Sequence, residues 1–165
     1  LKSAKEVDKI GVSVYNNKEL ESTLGIDDLD VIQIPFNLLD NYSKRGHLIE
    51  LANRKNKTIH IRSVFLQGLF FMDQMKLQSY HKPLIPYLRQ IHDICNDFNL
   101  TLNELAIGYV NSFNNIKGII VGLDKKDHLV ETMDAMRKKI SPSIIKKINK
   151  IKKSEDLLLN PTNWK

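Results

Sequence analysis

Short β-branched runs alternate with amphipathic helical patterns along the chain, and this alternation limits the fold more than any other feature. Strand patterns are predicted at residues 9–14, 30–34, 57–62 and 118–122. Each is followed by at least one helical pattern, and a closing helix is predicted at residues 141–151. Strands that alternate with helices pair in parallel, with the helices outside the sheet. The fourth run is apolar throughout, which is typical of a strand buried on both faces.

Local signals set the expected helix boundaries. Asn16 with Glu19, and Thr101 with Glu104, have the spacing of helix N-terminal caps. Three further helices are predicted at 44–55, at about 83–99, and after Asp124, which is expected to cap its helix. The apolar positions of that last helix are Leu129, Val130, Met133 and Met136. The tail is expected to be anchored by Trp164.

The four βα units amount to half of a closed parallel barrel. The chain has 165 residues and begins with Leu1 rather than methionine, which indicates a fragment or a processed chain. A hydrophobic content of 42% is sufficient for a packed core. An eight-unit barrel needs ~250 residues. The pattern therefore predicts one domain, or a part of a larger one.

Composition narrows the expected surroundings. Cys95 is the one cysteine, so no internal disulfide is possible and the cytoplasm is the expected compartment. Cys95 shares a helical face with His92, and packing is the preferred interpretation over a reactive thiol. No apolar run is long enough to cross a membrane. The net charge of +6 comes largely from lysines near the end of the chain, which fit the solvated face of a helix, so neither nucleic acid nor a membrane is an expected partner.

The loop after the third strand is the first candidate for a binding site. In parallel α/β proteins, ligands bind at the carboxyl ends of the strands. Residues 62–68 combine Arg62, Ser63 and Gln67 with the apolar Phe65 and Leu66. This mixture suits a polar cofactor that lies on an apolar wall.

Four segments, in this order, resemble the carboxyl-terminal half of the aldo-keto reductase family. They are residues 11–15 (GVSVY), 31–35 (VIQIP), 62–69 (RSVFLQGL), and 120–122 (IVG) followed by 127–132 (DHLVET). Members of this family are (β/α)8 barrels that reduce carbonyls with NADPH. The resemblance implies an α/β fold in which residues 1–165 form a parallel (β/α) half-barrel, with strands five to eight of the family's barrel.

The resemblance also implies contacts with the nicotinamide end of the cofactor. Ser13 and Gln33 match residues that hold the carboxamide, although Val14 replaces the usual asparagine. Arg62 stands where the family commonly stacks an aromatic ring. Two interpretations of Arg62 remain open: its guanidinium stacks on the nicotinamide, or it pairs with a phosphate or carboxylate.

The remaining implied contacts lie towards the adenosine end. The loop that matches the family's pyrophosphate loop contains Ser63, Phe65, Gln67 and Gly68. The positions that match the 2′-phosphate and adenine contacts are Gly122, His128, Glu131 and Thr132. No metal site is expected, and NADP(H) is the expected cofactor.

The family's catalytic Tyr, Lys, Asp and His belong to the first four strands, which are absent from this sequence. Tyr15 is not assigned to that role and is expected to pack under a helix. The chain alone is therefore expected to bind cofactor poorly and to be inactive, as part of an NADPH-dependent reductase of small carbonyl substrates. It is expected to associate with its missing amino-terminal half or with a second copy.

Two alternatives remain open. The chain is a non-catalytic cofactor-sensing or partner-binding subunit, an interpretation favoured by Val14 and Arg62, which depart from the family pattern. Alternatively, the basic last helix binds an anionic surface, which predicts heparin retention that falls steeply with salt.

Overall fold

A computed structural model describes residue 2, residues 5–151 and residues 156–164 of the chain. Leu1, Lys152, Lys153 and Lys165, which entered the arguments from length, charge and the tail, lie outside these residues. In the described part of the chain, no helix is long and apolar enough to cross a membrane.

Four parallel strands form one sheet in the order β1-β2-β3-β4, which confirms the predicted parallel α/β fold. Ser13 lies opposite Gln33 on the neighbouring strand, and Pro35 lies opposite Arg62. The carboxyl ends of the strands therefore meet at one end of the sheet. The strands are β1 (Gly11–Ser13), β2 (Val31–Pro35), β3 (Thr58–Arg62) and β4 (Ile116–Ile119).

In the part of the chain that the structure describes, six α-helices follow or connect the strands, and the starts of four of them have clear local causes. Side chains of Asn16, Asn41, Thr101 and Ser141 each accept a backbone hydrogen bond at a helix start. The predicted capping box of Thr101 with Glu104 is present. The helices are α1 (Asn17–Thr23), α2 (Tyr42–Arg54), α3 (Ile85–Phe98), α4 (Leu102–Asn111), α5 (Lys126–Arg137) and α6 (Pro142–Lys150).

Shorter 3₁₀ segments fill the long connection between β3 and α3 and form the tail. Within the tail, the Trp164 indole donates a hydrogen bond to the Leu158 carbonyl, 3.0 Å away, and packs edge-on against His81. The expected anchoring by Trp164 is thus present. The 3₁₀ segments are Leu69–Phe71, Gln74–Lys76, Ser79–Leu84, Asp156–Leu159 and Pro161–Asn163.

The two faces of the sheet differ in burial. Ile32, Ile34, Ile59 and Ile61 are fully buried on the face that the helices cover. The residues that alternate with them, such as Gln33, remain partly exposed on the other face. The core therefore lies between one face of the sheet and its helices, and the opposite face is open.

The expectation that the fourth strand is buried on both faces is wrong. β4 begins two residues earlier than predicted and ends at Ile119, while Ile120 continues as an exposed residue whose amide donates to the Ile61 carbonyl. The strand lies at the edge of the sheet, beside the open face, so its apolar run is only half covered.

The expected cap of α5 by Asp124 is also wrong. Lys125 occupies the cap position and no side chain bonds the helix start. Thr132 and Ala135 are the buried positions of this helix. The four apolar residues of the predicted pattern are exposed instead, because α5 packs against α4 through other positions: Leu129, Val130, Met133 and Met136.

Two smaller expectations also fail. α2 begins at Tyr42 rather than Lys44, because the Asn41 side chain caps the helix two residues earlier than predicted. Tyr15 does not pack under a helix. Its ring is exposed and lies 4.5 Å from the Arg62 guanidinium carbon, in a cation–π contact.

Candidate functional site

A cavity with a volume of about 710 Å³ opens at the carboxyl ends of β3 and β4. We call it the β3–β4 cleft. Three parts of the chain form it: the loop after β3, the segment after β4 with the first half of α5, and the start of α4. Eight of the eleven predicted cofactor residues line it: Ser63, Phe65, Gln67, Gly68, Gly122, His128, Glu131 and Thr132.

The loop after β3 has a backbone suited to an anion. Ser63, Leu66, Gln67 and Gly68 all have positive φ angles, between 47° and 77°. The carbonyls of Ser63 and Phe65 are used within the loop by the amides of Leu66 and Gly68. The amides of Val64, Phe65 and Gln67 donate to no acceptor within the described residues. Successive amides in such a left-handed turn form a concave anion site.

Two glycines keep the cleft open. A Cβ atom added to Gly68 or to Gly122 would meet nothing within 4 Å. Position 68 also favours glycine because its φ angle is +77°. The backbone at both positions therefore faces free space, and a ligand can approach it closely.

Asn103 is a cleft residue that the sequence analysis missed. Its Oδ1 atom is buried and has no hydrogen-bond partner within the described residues. A buried acceptor without a donor is costly unless a ligand or water supplies one. The capping box could have indicated this residue, because it fixes position 103 in the first turn of α4.

The three other predicted residues form a hydrogen-bonded cluster at the tips of β1, β2 and β3. The Ser13 hydroxyl donates to Gln33 Oε1 at 3.0 Å and accepts from Arg62 Nε at 3.3 Å. Arg62 also donates to Ser63 Oγ at 3.3 Å and to the Val14 carbonyl at 3.2 Å. Through the Arg62–Ser63 contact this cluster adjoins the β3–β4 cleft.

A second cavity of about 230 Å³ lies on the other side of this cluster, and we call it the Arg62 pocket. Its floor includes Tyr15 and Pro35, and the tail covers one side. The lining residues are Tyr15, Asn16, Pro35, Asp40, Lys44, Arg45, Arg62, Leu159, Asn160, Pro161 and Asn163.

A buried ion pair that the sequence analysis missed holds this end of the sheet. Asp40 bonds Arg45 at 2.8 Å and 2.6 Å, and both side chains are only 2% exposed. Arg45 also donates to the Asn17 side chain and to the Tyr15 carbonyl. It thereby fixes the loop after β1, which carries Tyr15. Asp40 and Arg45 are five positions apart across a helix start, so no regular helix spacing indicates the pair.

Other reactive candidates lie away from the site. Cys95 is buried on α3, and burial raises the pKa of its thiol to about 11, which makes it a poor nucleophile. Among the described residues, no group of three or more His, Cys, Asp or Glu side chains is placed to hold a metal ion.

The fold and the position of the site define a parallel α/β protein of the (β/α)8-barrel type, with its cavities at the carboxyl ends of the strands. Residues 1–153 match the model of the aldo/keto reductase family. The chain belongs to that family. No curated protein matches the sequence.

Solved aldo-keto reductases share the fold at low sequence identity. AKR11C1 from Bacillus halodurans, in its holo form, is 15% identical with a TM-score of 0.73, covering 93% of this chain and 53% of its own. The thermostable Tm1743, in complex with the inhibitor epalrestat, is 19% identical with a TM-score of 0.65, covering 90% and 50%. MGS-M4 from a Medee basin deep-sea metagenome is 15% identical with a TM-score of 0.63, covering 92% and 50%. The chain spans about half the length of these proteins.

Proposed function

We propose that residues 1–165 are the carboxyl-terminal half of an NADPH-dependent aldo-keto reductase and that this half holds the nicotinamide dinucleotide. One observation carries the proposal: eight of the eleven residues implied by the resemblance line a single cleft at the carboxyl end of a parallel sheet. They come from segments about sixty residues apart. A chance resemblance would not predict such a cluster.

The β3–β4 cleft fits the phosphate and adenosine portion of the cofactor. The amides of Val64, Phe65 and Gln67 have no acceptor within the described residues, and phosphate oxygens would provide one. The side chains of His128 and Glu131 offer polar contacts for the ribose phosphate and the adenine. The choice of NADP(H) over NAD(H) is part of the proposal.

The tip cluster fits the nicotinamide end. The Ser13 hydroxyl fixes the oxygen of the Gln33 amide, while Gln33 Nε2 makes no hydrogen bond within the described residues. That nitrogen can donate to a carboxamide oxygen. When bound, the nicotinamide would supply hydride to a carbonyl carbon. The residues of this chain would bind and orient the ring, and the proton donor would lie on the other half of the barrel.

The second half-barrel is the partner that this proposal requires. The sheet has two edge strands, β1 and β4. The unpaired backbone groups of an edge strand can pair with a strand of another chain. Exposed apolar residues lie near both edges, Val12 at the first and Ile120 at the second. An amino-terminal half or a second copy would cover them. A cytoplasmic location, which rests on the single cysteine, is proposed with the enzyme.

Isothermal titration calorimetry, with adenosine 2′,5′-bisphosphate added to the chain, tests the cofactor proposal. The adenosine portion of the proposed site lies wholly within this chain, so we expect saturable binding even without the other half. Gly122→Leu places a side chain in the free space of the cleft and should weaken binding roughly tenfold or more, equal to ~1.4 kcal/mol.

Gly25→Leu is the matched control. A Cβ atom at Gly25 also meets nothing within 4 Å, and this position lies after α1, outside the cleft. The control should bind like the unmodified chain. Equal loss of binding in both variants, or no binding in either, would contradict the proposal.

A further inference from the structure

The Arg62 guanidinium faces the Arg62 pocket and has no carboxylate partner within the described residues. Arg62 donates only to neutral oxygens, those of Ser13, Ser63 and Val14, at distances of 3.2–3.3 Å. Within the described residues it pairs with no carboxylate. Hydrogen bonds between a guanidinium and an ionised oxygen are shorter and roughly twice as strong. The present contacts hold the side chain in place and leave its charge uncompensated.

Tyr15 orients this guanidinium. The guanidinium carbon lies 4.5 Å from the centre of the Tyr15 ring, which supports one side of the group. The Tyr15 backbone is in turn held by buried Arg45 through its carbonyl, at 3.0 Å. Arg62 is therefore fixed by contacts on both its edge and its face. A fixed planar fork is suited to a bidentate contact with a carboxylate.

The charges that line the pocket favour an anion. Three cationic side chains, those of Lys44, Arg45 and Arg62, face one carboxylate, that of Asp40. Asp40 is already bonded twice by Arg45, with Lys44 at 3.6 Å. The negative charge inside the pocket is thus compensated before Arg62 is counted. Among the described lining residues, a small anion would therefore meet the positive charge of Arg62.

The size and the walls of the pocket indicate what the anion is attached to. Its volume of about 230 Å³ is about a third of the 710 Å³ of the β3–β4 cleft, which limits the ligand to a small molecule. This is too small for a dinucleotide. Pro35, Leu159 and Pro161 provide apolar walls, which suit a short carbon skeleton rather than a bare inorganic ion.

We infer that the Arg62 pocket binds the carboxylate group of a small organic acid, with Arg62 as its anchor. The pocket adjoins Ser13 and Gln33, which the proposed function assigns to the nicotinamide. If that function holds, the acid is the carbonyl substrate itself, a short oxo acid, and this reading of the ligand as substrate rests on the proposed function. The binding of the acid does not depend on it.

An NMR titration of the chain with pyruvate tests this inference. The same titration with methyl pyruvate provides the uncharged comparison. We expect pyruvate to bind at least roughly tenfold more tightly than its ester, since the ester keeps the carbonyl and loses the charge. Arg62→Met should reduce pyruvate binding to the level of the ester. Arg62→Lys, which keeps the charge without the planar fork, should give an intermediate affinity.

Arg54→Met is the matched control, because Arg54 is exposed in the last turn of α2, away from the pocket. It should bind pyruvate like the unmodified chain. Thermal unfolding of each variant identifies any change that comes from loss of the fold. The comparison of pyruvate with its ester, made on the unmodified chain, decides the matter even if a variant fails to fold.

Three results would overturn the inference: equal binding of pyruvate and its ester, undiminished binding by Arg62→Met, or tighter binding of inorganic phosphate than of pyruvate. If the chain binds adenosine 2′,5′-bisphosphate but not pyruvate, the proposed function stands and the inference about the Arg62 pocket fails. If it binds pyruvate but not the nucleotide, the inference stands and the proposed function fails.

Discussion

The two faces of the sheet differ in burial, although the same strands form both. On the helix-covered face, isoleucines of β2 and β3 are fully buried. On the other side, at the strand tips, the Ser13 hydroxyl joins Gln33 and Arg62 by hydrogen bonds. The covered face supplies stability, and the open face carries the proposed binding residues, so substitutions on neighbouring residues should separate the two properties.

The largest expected effect on stability is at the buried Asp40–Arg45 ion pair, which lies at the same end of the sheet as the strand tips. Asp40→Ala leaves the Arg45 charge buried without its partner, which should cost about 3–5 kcal/mol of unfolding free energy. Urea denaturation measures this loss. Asp134→Ala removes the partner of Arg137 from an exposed pair and should cost less than ~1 kcal/mol. Similar losses in the two variants would contradict the structural role of the Asp40–Arg45 pair.

The next effect compares adjacent residues of β2. Ile34→Ala creates a cavity on the covered face and should cost about 3 kcal/mol, because the side chain is fully buried. Gln33→Ala changes the open face and should alter stability by ~0.5 kcal/mol or less. Denaturation curves of both variants test the difference. If Gln33→Ala were the more destabilising change, the assignment of the faces would be reversed.

A smaller effect is expected at the start of α4, where a structural and a cleft residue are two positions apart. Thr101→Ala removes the cap hydrogen bond to the Glu104 amide and should cost about 1 kcal/mol. Asn103→Ala removes an acceptor that has no partner within the described residues, so stability should hold or rise slightly. Thermal unfolding measures both. A large loss for Asn103→Ala would show that its oxygen is satisfied within the fold.

The smallest effect concerns pH and the packing of the tail. Burial lowers the pKa of His81 from its usual 6.5, and its ring packs against Trp164. The unfolded chain therefore binds a proton more readily than the folded one, and stability should fall as the pH drops through about 6.5 towards the lower folded pKa. Thermal unfolding at about pH 7.5 and about pH 5.5 measures this fall.

His81→Phe should reduce that pH dependence, since it removes the titrating group and keeps an apolar ring. His47→Phe, at an exposed position of α2, is the control and should leave the pH dependence intact. An unchanged pH profile in His81→Phe would remove His81 as its cause.

Sequence reasoning succeeded where local chemistry decides the structure. The alternation of strands and helices predicted the parallel sheet, and the caps at Asn16 and Thr101 lie where their spacing placed them. Sequence reasoning failed where the burial of a segment depends on its position in the tertiary structure. The apolar residues 118–122 and the apolar face of α5 gave no sign that they lie at the edge of the sheet.

The candidate site shows the same division. The loop with Ser63 and Gly68 was predictable, because strand ends in parallel sheets bind ligands. Contacts between distant segments decide two other features. They bury Asn103 Oδ1, which has no hydrogen-bond partner within the described residues, and they place Arg62 on the Tyr15 ring. No pattern in the sequence marks such contacts. The separation of the site into two cavities likewise emerges only from the folded chain.

Mapping of amide chemical shifts with NADP⁺ tests the central claim most directly, since a chain of 19.1 kDa is suited to such spectra. The account predicts shifts concentrated in residues 63–68 and 122–132, with the amides of α3 around Cys95 unaffected. Shifts spread over the covered side of the sheet, or none at saturating cofactor, would contradict it.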